Sequence, residues 1–183
     1  MPSDLRDRLR AAFRWTDPGG GADYLVSDRS GWWRDTHILD ELGPALGDLF
    51  RADRPTVVMA PEVTGFLLGP LVARALGVGF VEAYRAGARR TIAEPMTWAD
   101  VPIDHRGDAQ RLGVRSRLIG PGDRVLVVDD WAATGSQARA LYEVIGALGA
   151  EPLGAAVIVD ECTPEVAVEL RVRGLLTDAD LSE

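Results

Sequence analysis

Apolar residues in this chain follow two alternating rhythms. Short, mostly apolar runs, several of them rich in β-branched side chains, alternate with stretches in which apolar positions recur every three or four residues. The runs are Thr56-Val57-Val58-Met59-Ala60, Gly79 to Tyr84, Val125 to Asp129 and Gly154 to Val159. Each predicts a buried strand, and Leu175-Leu176 marks the start of a last one. The helical rhythm covers residues 3–14, with Leu5, Leu9 and Phe13 on one stripe, and then Asp40 to Phe50. It returns at Gly65 to Leu76, apolar nearly all round and so deeply packed, at Gln137 to Leu148 and at Pro164 to Val172. Strands alternating with helices predict an α/β fold, a parallel-sheet core flanked by helices on both faces. Two stretches break the rhythm. Residues 17–36 are Gly-rich and aromatic and read as loop, with a short strand at Tyr24 to Val26. Residues 86–111 are polar, charged and weakly patterned, which is long for a connection in a compact domain. They read either as a lid over a ligand or as a β-hairpin insertion. No repeat, low-complexity tract or linker intervenes, so residues 1–183 read as a single domain.

Composition narrows the classes. The chain has 183 residues, 46% of them hydrophobic and 26% charged, as in ordinary globular domains. A net charge of −8 opposes nonspecific nucleic-acid binding, which relies on positive charge. No apolar run reaches membrane-spanning length, and Met1 to Phe13 lacks a signal pattern. Neither a nucleic-acid nor a membrane partner is therefore expected. Cys162 is the single cysteine, so no intrachain disulfide can form and a cytoplasmic location is the default. All 20 basic residues are arginine, so every cationic side-chain contact must come from a guanidinium.

The candidate chemistry sits at the end of one strand run. Val-Leu-Val-Val (125–128) leads into Asp129 and Asp130, then into the small-residue turn Ala133-Thr134-Gly135-Ser136 and a helix. The C-terminal end of a buried parallel strand is where open α/β sheets hold ligands. The turn can aim N–H groups at an anion, backed by the positive end of the helix. Gly135 there needs a backbone conformation or a close approach that a side chain would obstruct. The acids would repel a phosphate but suit hydroxyls or a metal on the same ligand. Phosphate and vicinal diol together describe a ribose 5-phosphate. The bland alternative is an acidic strand end with Thr134 as a helix N-cap. Ala60 to Gly69 repeats the strand–turn–helix arrangement, and two anion sites would fit a ligand with two phosphate groups.

Residues 125–137 resemble the phosphoribosyl-pyrophosphate-binding motif of the type I phosphoribosyltransferases. The likeness runs from about residue 56 to 160, is weaker over Trp32 to Leu39, and is greatest to the adenine-specific branch of that family. It implies the family fold with a small N-terminal hood (about 1–40) and a flexible loop (about 86–111). It implies an enzyme, a glycosyltransferase that joins a purine-like heterocyclic base to phosphoribosyl pyrophosphate and releases pyrophosphate, as in purine salvage. Mg²⁺ as cofactor, small-molecule substrates and a homodimer follow from the same likeness. Residue by residue, Asp129 and Asp130 would hold the ribose hydroxyls and, through substrate or water, the metal. Ala133, Thr134, Gly135, Ser136 and Gln137 would hold the 5′-phosphate. Glu62, Val63, Thr64, Arg85 and Arg89 would hold pyrophosphate. Trp33, Arg34 and Glu161 would meet the base, and His105 would carry its proton.

The chain departs from the family pattern at several of these positions. Thr64 stands where an Arg is usual, Gln137 replaces a Thr, and Trp131-Ala132 replace aliphatic residues. His105 falls near a usual loop Glu, and Glu161 replaces an apolar wall. These departures leave two other readings open: a non-catalytic sensor of phosphoribosyl pyrophosphate that regulates a partner, and a specialised-metabolism enzyme for an unusual base. Structural roles are also open for several residues: solvated loop charge for Arg89 and Arg90, an exposed loop histidine for His105, hood packing for Trp32-Trp33, and a first-turn helix position for His37.

Overall fold

The apolar runs become strands because a segment that is greasy on both sides of the pleat is stable only inside a sheet covered on both faces. The computed structural model describes residues 3–87, 92–102 and 110–182. Along the chain the elements are α1 (Ser3–Ala12), β1 (Arg14–Thr16), β2 (Val26–Asp28), α2 (Ser30–Arg34), α3 (Thr36–Asp48), β3 (Val57–Pro61), α4 (Gly65–Leu76) and β4 (Gly79–Arg85). They continue with β5 (Met96–Val101), β6 (Gln110–Arg115), β7 (Arg124–Ala132), α5 (Ser136–Ala147), β8 (Glu151–Asp160), α6 (Pro164–Glu169) and β9 (Val172–Thr177).

Seven strands form one sheet in the order β5-β6-β4-β3-β7-β8-β9. Five of them, β4-β3-β7-β8-β9, are parallel. The hairpin β5–β6 extends the β4 edge antiparallel, with Tyr84 opposite Gly113. Successive side chains of a strand face opposite ways, and two cores follow. Val58, Ala60, Leu126, Val128, Ala156 and Ile158 face the apolar stripes of α1 to α4. Val57, Met59, Val125, Val127, Ala155 and Val157 face α5, through Leu141, Val144 and Ile145. The chain leaves β3 toward β4 on one side and later enters β7 on the other. Strand order therefore reverses between β3 and β7, and their C-terminal ends open the crevice in which such sheets bind ligands.

Three regions differ from the sequence expectation. The stretch expected as loop at 86–111 contains all of β5 and the first residues of β6, which pair as a hairpin, while its residues 88–91 and 103–109 lie outside the described residues. Its half-buried strands lack a strong apolar run; β5 pairs with its neighbour β6, and only β6 reaches back to β4, through Tyr84–Gly113 and Arg85–Leu112. The strand expected at Tyr24 to Val26 is shifted to Val26–Asp28, where it pairs with β1, while Tyr24 and Leu25 stay exposed. Helix α3 begins four residues before Asp40, because the Asp35 carboxylate accepts from the N–H groups of His37 (2.8 Å) and Ile38 (3.4 Å). His37 accordingly lies in a first helical turn, and exposed. Among the described residues no helix is long and apolar enough to cross a membrane.

Candidate active site

Three strand ends supply the site. Strand β7 carries Asp129 and Asp130 on opposite sides of the pleat, so the two carboxylates meet different partners. Asp130 is the buried charged residue of the core, 5% exposed, and Nη1 of Arg29 donates to its Oδ2 at 2.5 Å. Asp129 accepts from the Asp130 backbone N–H at 2.9 Å through Oδ1. Its Oδ2 accepts from Nε2 of Gln137 at 3.4 Å. Burial, and then the neighbouring Asp130 charge, hold the Asp129 carboxyl well above the usual carboxylate range, and the Arg85 charge offsets this in part.

The turn after β7 starts α5. Gly135 has φ +70°, a left-handed conformation that side chains resist, and a Cβ there would lie 2.4 Å from Leu170 Cδ1 and 3.0 Å from Val166 Cγ1. Both reasons given for a glycine, backbone conformation and close approach, therefore hold. The helix N-cap is Gly135, one residue after the Thr134 of the bland alternative, and it makes no side-chain cap. Thr134 instead pairs its hydroxyl with that of Ser136 at 2.8 Å, and its Oγ1 accepts from the Ser136 N–H at 3.3 Å. The first intrahelical bond runs from the Arg139 N–H to the Gly135 carbonyl at 2.9 Å. The N–H groups ahead of it are those that a helix start offers to an outside acceptor.

Arg85, at the end of β4, ties this turn to the one after β3. Its Nε donates to the Glu62 carbonyl at 3.0 Å, its Nη2 to Oε1 of Gln137 at 2.8 Å, and its Nη1 to Oε1 of Gln110. Its backbone N–H donates to the Glu62 carboxylate at 3.1 Å. The guanidinium thus meets a carbonyl and two amide oxygens, neutral acceptors that an anion can displace. The β3 turn contains a cis Glu62–Val63 peptide, an exposed Val63, and Thr64 at the N-cap of α4. A cavity of about 470 Å³ is lined by Arg85 itself together with Tyr84, Met96, Trp98 and Arg111 among others.

The hood covers β7 from the other side. Trp131 packs against Phe13 and Trp15, with ring centroids 6.1 and 6.2 Å apart. Its indole N–H donates to Oε2 of Glu161 at 2.7 Å. Glu161 follows β8 and is exposed, with its backbone N–H on the Ala132 carbonyl at 2.8 Å. Trp33 is half-buried, edge-on to Trp32 at 6.0 Å, and Arg34 is exposed. Trp32 is wholly buried, and its Nε1 donates to the Leu9 carbonyl at 2.8 Å.

Asp129, Asp130, Gln137, Arg85 and Glu62 are therefore brought into one bonded group. Glu161 stands outside this group, bonded to Trp131. Trp33 and Arg34 stay with the hood packing. Arg89 and His105 lie outside the described residues. Sequence reading missed Arg29 as the partner of Asp130 and Trp131 as the partner of Glu161. For Arg29 the only signal was the all-arginine composition, which named no position.

Among the described residues no cluster of three or more acidic, His or Cys side chains could hold a metal ion by itself. Asp129 and Asp130 offer hard oxygen donors that fit a divalent ion carried largely by a ligand's own oxygens. The sole thiol, Cys162, is pushed up to about 12 by burial and then by Asp160, and so makes a poor nucleophile.

Comparison with known proteins bears on the family and the fold. The family model described as "Phosphoribosyl transferase domain" matches residues 36–178. An adenine phosphoribosyltransferase of Yersinia pestis (strain Pestoides F) is 40% identical over 119 residues, 64% of this chain. That match spans 59% of the relative's own length. The crystal structure of adenine phosphoribosyltransferase from Leishmania donovani superposes with a TM-score of 0.80 at 25% identity, over 98% of this chain and 82% of its own. The enzyme from Trypanosoma brucei, solved with AMP, pyrophosphate and ribose-5-phosphate, has a TM-score of 0.78 at 21% identity, over 100% of this chain and 83% of its own, a likeness of fold.

Proposed function

This chain belongs to the phosphoribosyl transferase domain family, and from that premise we propose that it joins a purine-like heterocyclic base to phosphoribosyl pyrophosphate and releases pyrophosphate. The observation that carries the reading is the Arg85–Gln137–Asp129 group, which sets a guanidinium held by neutral acceptors beside paired carboxylates at the strand-order reversal. A ligand that is anionic at one end and rich in hydroxyls beside it matches that arrangement.

In this reading Asp129 and Asp130 accept the ribose hydroxyl hydrogen bonds, and the turn from Ala133 to Gln137 receives the 5′-phosphate. Arg85, the turn Glu62-Val63-Thr64 and the undescribed Arg89 neutralise the leaving pyrophosphate. The base nitrogen donates its lone pair to C1′ while the C1′–oxygen bond breaks and its electrons leave with pyrophosphate. The proton of the base goes to His105, also outside the described residues. Mg²⁺, held by Asp129 and Asp130 through substrate or water, would supply further neutralisation of the pyrophosphate charge. The hood excludes water from the ribosyl centre, with Trp33, Arg34 and Glu161 as base contacts. A homodimer and a cytoplasmic setting complete the proposal.

The relationship to adenine enzymes makes adenine the first base to test. The Glu161–Trp131 pair supports a second reading, a base whose edge is richer in N–H donors, because a carboxylate accepts and does not donate. The experiment is an assay of pyrophosphate release with phosphoribosyl pyrophosphate and Mg²⁺ across purines, pyrimidines and base analogues. Turnover with adenine supports the first reading, and turnover only with donor-rich bases supports the second. Binding of phosphoribosyl pyrophosphate with no turnover on any base would make the chain a sensor.

A further inference from the structure

One side chain already imitates part of the proposed substrate. The carboxamide of Gln137 spans the site, with its oxygen on Arg85 Nη2 at 2.8 Å and its nitrogen toward Asp129 Oδ2 at 3.4 Å. The orientation of the amide follows from Arg85, since a guanidinium can only donate and so takes the amide oxygen, which leaves the amide nitrogen toward Asp129. An acceptor and a donor one carboxamide apart are what phosphoribosyl pyrophosphate presents where its pyrophosphate oxygen and its 2′-hydroxyl sit on neighbouring ring carbons.

We propose that Gln137 is a built-in surrogate for the ribose–pyrophosphate junction, engaging Arg85 and Asp129 and setting the affinity for phosphoribosyl pyrophosphate by being exchanged for it. The inference rests on the phosphoribosyltransferase reading. It makes the Gln137 carboxamide a positioning group that competes with substrate for Arg85 and Asp129, while the Gln137 backbone stays part of the proposed phosphate turn. The surrogate keeps the half-buried Asp129 and the cationic Arg85 satisfied until substrate arrives, because a partly buried polar group left unpaired is costly. Each bond it makes must be broken when substrate makes the same bond, so its presence lowers apparent affinity. Asp130 is likewise engaged by Arg29, so both acids are partnered before any ligand enters.

The test is calorimetric titration of phosphoribosyl pyrophosphate, with Mg²⁺, into wild type, Gln137→Thr and Gln137→Glu. Threonine is too short to reach both partners, so Gln137→Thr should bind about tenfold more tightly, the scale of one hydrogen bond to a charged group no longer in competition. KM should fall with it while kcat changes less. Gln137→Glu offers Arg85 a charged acceptor and should bind about tenfold more weakly. Ribose 5-phosphate, which lacks the pyrophosphate, exchanges only the Asp129 contact and should gain less from Gln137→Thr. Thermal unfolding of the empty Gln137→Thr variant should come at a lower temperature, so that affinity and stability move in opposite directions. A merely structural role would lower both. Unchanged or weaker binding by folded Gln137→Thr, with wild type binding normally, overturns the proposal. If wild type itself binds no phosphoribosyl pyrophosphate, the phosphoribosyltransferase reading falls, and the surrogate with it.

Discussion

Gly135→Ala is the most informative single-atom change in the phosphate turn. The added Cβ meets Leu170 Cδ1 at 2.4 Å and Val166 Cγ1 at 3.0 Å, and φ at this position is +70°. The left-handed backbone costs alanine about 1–2 kcal/mol. Displacing Leu170, which is 5% exposed, adds about 1–3 kcal/mol of overpacking. The reduced freedom of the unfolded chain returns about 0.4–1 kcal/mol. The net cost centres on about 3 kcal/mol, and for a domain of this size that lowers the unfolding midpoint by about 6–12 °C. Relief of the clash requires the turn or α6 to shift, which re-aims the N–H groups at the start of α5. Binding of phosphoribosyl pyrophosphate should therefore fall even where the variant is fully folded. The assay pairs a thermal melt with calorimetric titration well below the melt. A midpoint within about 2 °C of wild type, corresponding to less than about 1 kcal/mol, would show that the turn is free to adapt. Wild-type affinity in the same sample would show that its geometry does not serve the ligand.

Other expectations follow from individual contacts. Asp129 has a folded-state pKa above its unfolded value, so the empty protein loses stability as pH rises from the ordinary carboxylate range through that raised value. Asp129→Asn removes this titration, and the variant's advantage in melting temperature should grow as pH rises above the ordinary carboxylate range; an advantage that is flat with pH would contradict the assignment. Arg29→Ala leaves the 5%-exposed Asp130 without its partner and should cost about 1–3 kcal/mol by thermal unfolding, and no change would mean that the pair does not anchor the hood. Glu161→Leu should shift the ratio of kcat/KM values toward adenine over donor-rich bases. An equal loss with every base would confine Glu161 to supporting Trp131.

The parts of the fold legible in the sequence were those whose burial is written locally. The run Val57–Ala60 and the all-round apolar helix 65–76 have few alternatives, and β7 ends on two acids that nothing in a core would call for. The hairpin β5–β6 was not legible in this way, because its strands are half-buried and only β6 reaches back to β4. Within the hairpin, Gly113 is set by the pairing: a Cβ there would sit 2.4 Å from Trp98 on the neighbouring strand. In the site, Asp129, Gln137 and Arg85 could each be named from spacing and resemblance. Their mutual bonding could not, since it joins turns 23 and 52 residues apart. Arg29 was invisible for the opposite reason. It stands in a Gly-rich, aromatic stretch with no periodicity, and only the folding of the hood onto β7 gives it a role.

The central claim is that the ends of β3, β4 and β7 together hold the ribose and pyrophosphate of phosphoribosyl pyrophosphate. Calorimetric titration of that ligand with Mg²⁺, into wild type and into the Asp129→Asn/Asp130→Asn double variant, tests it most directly. Saturable binding by wild type, weakened at least about tenfold by loss of the two carboxylates, is the expected result. Equal affinity in the folded double variant, or no binding by wild type, would contradict the account.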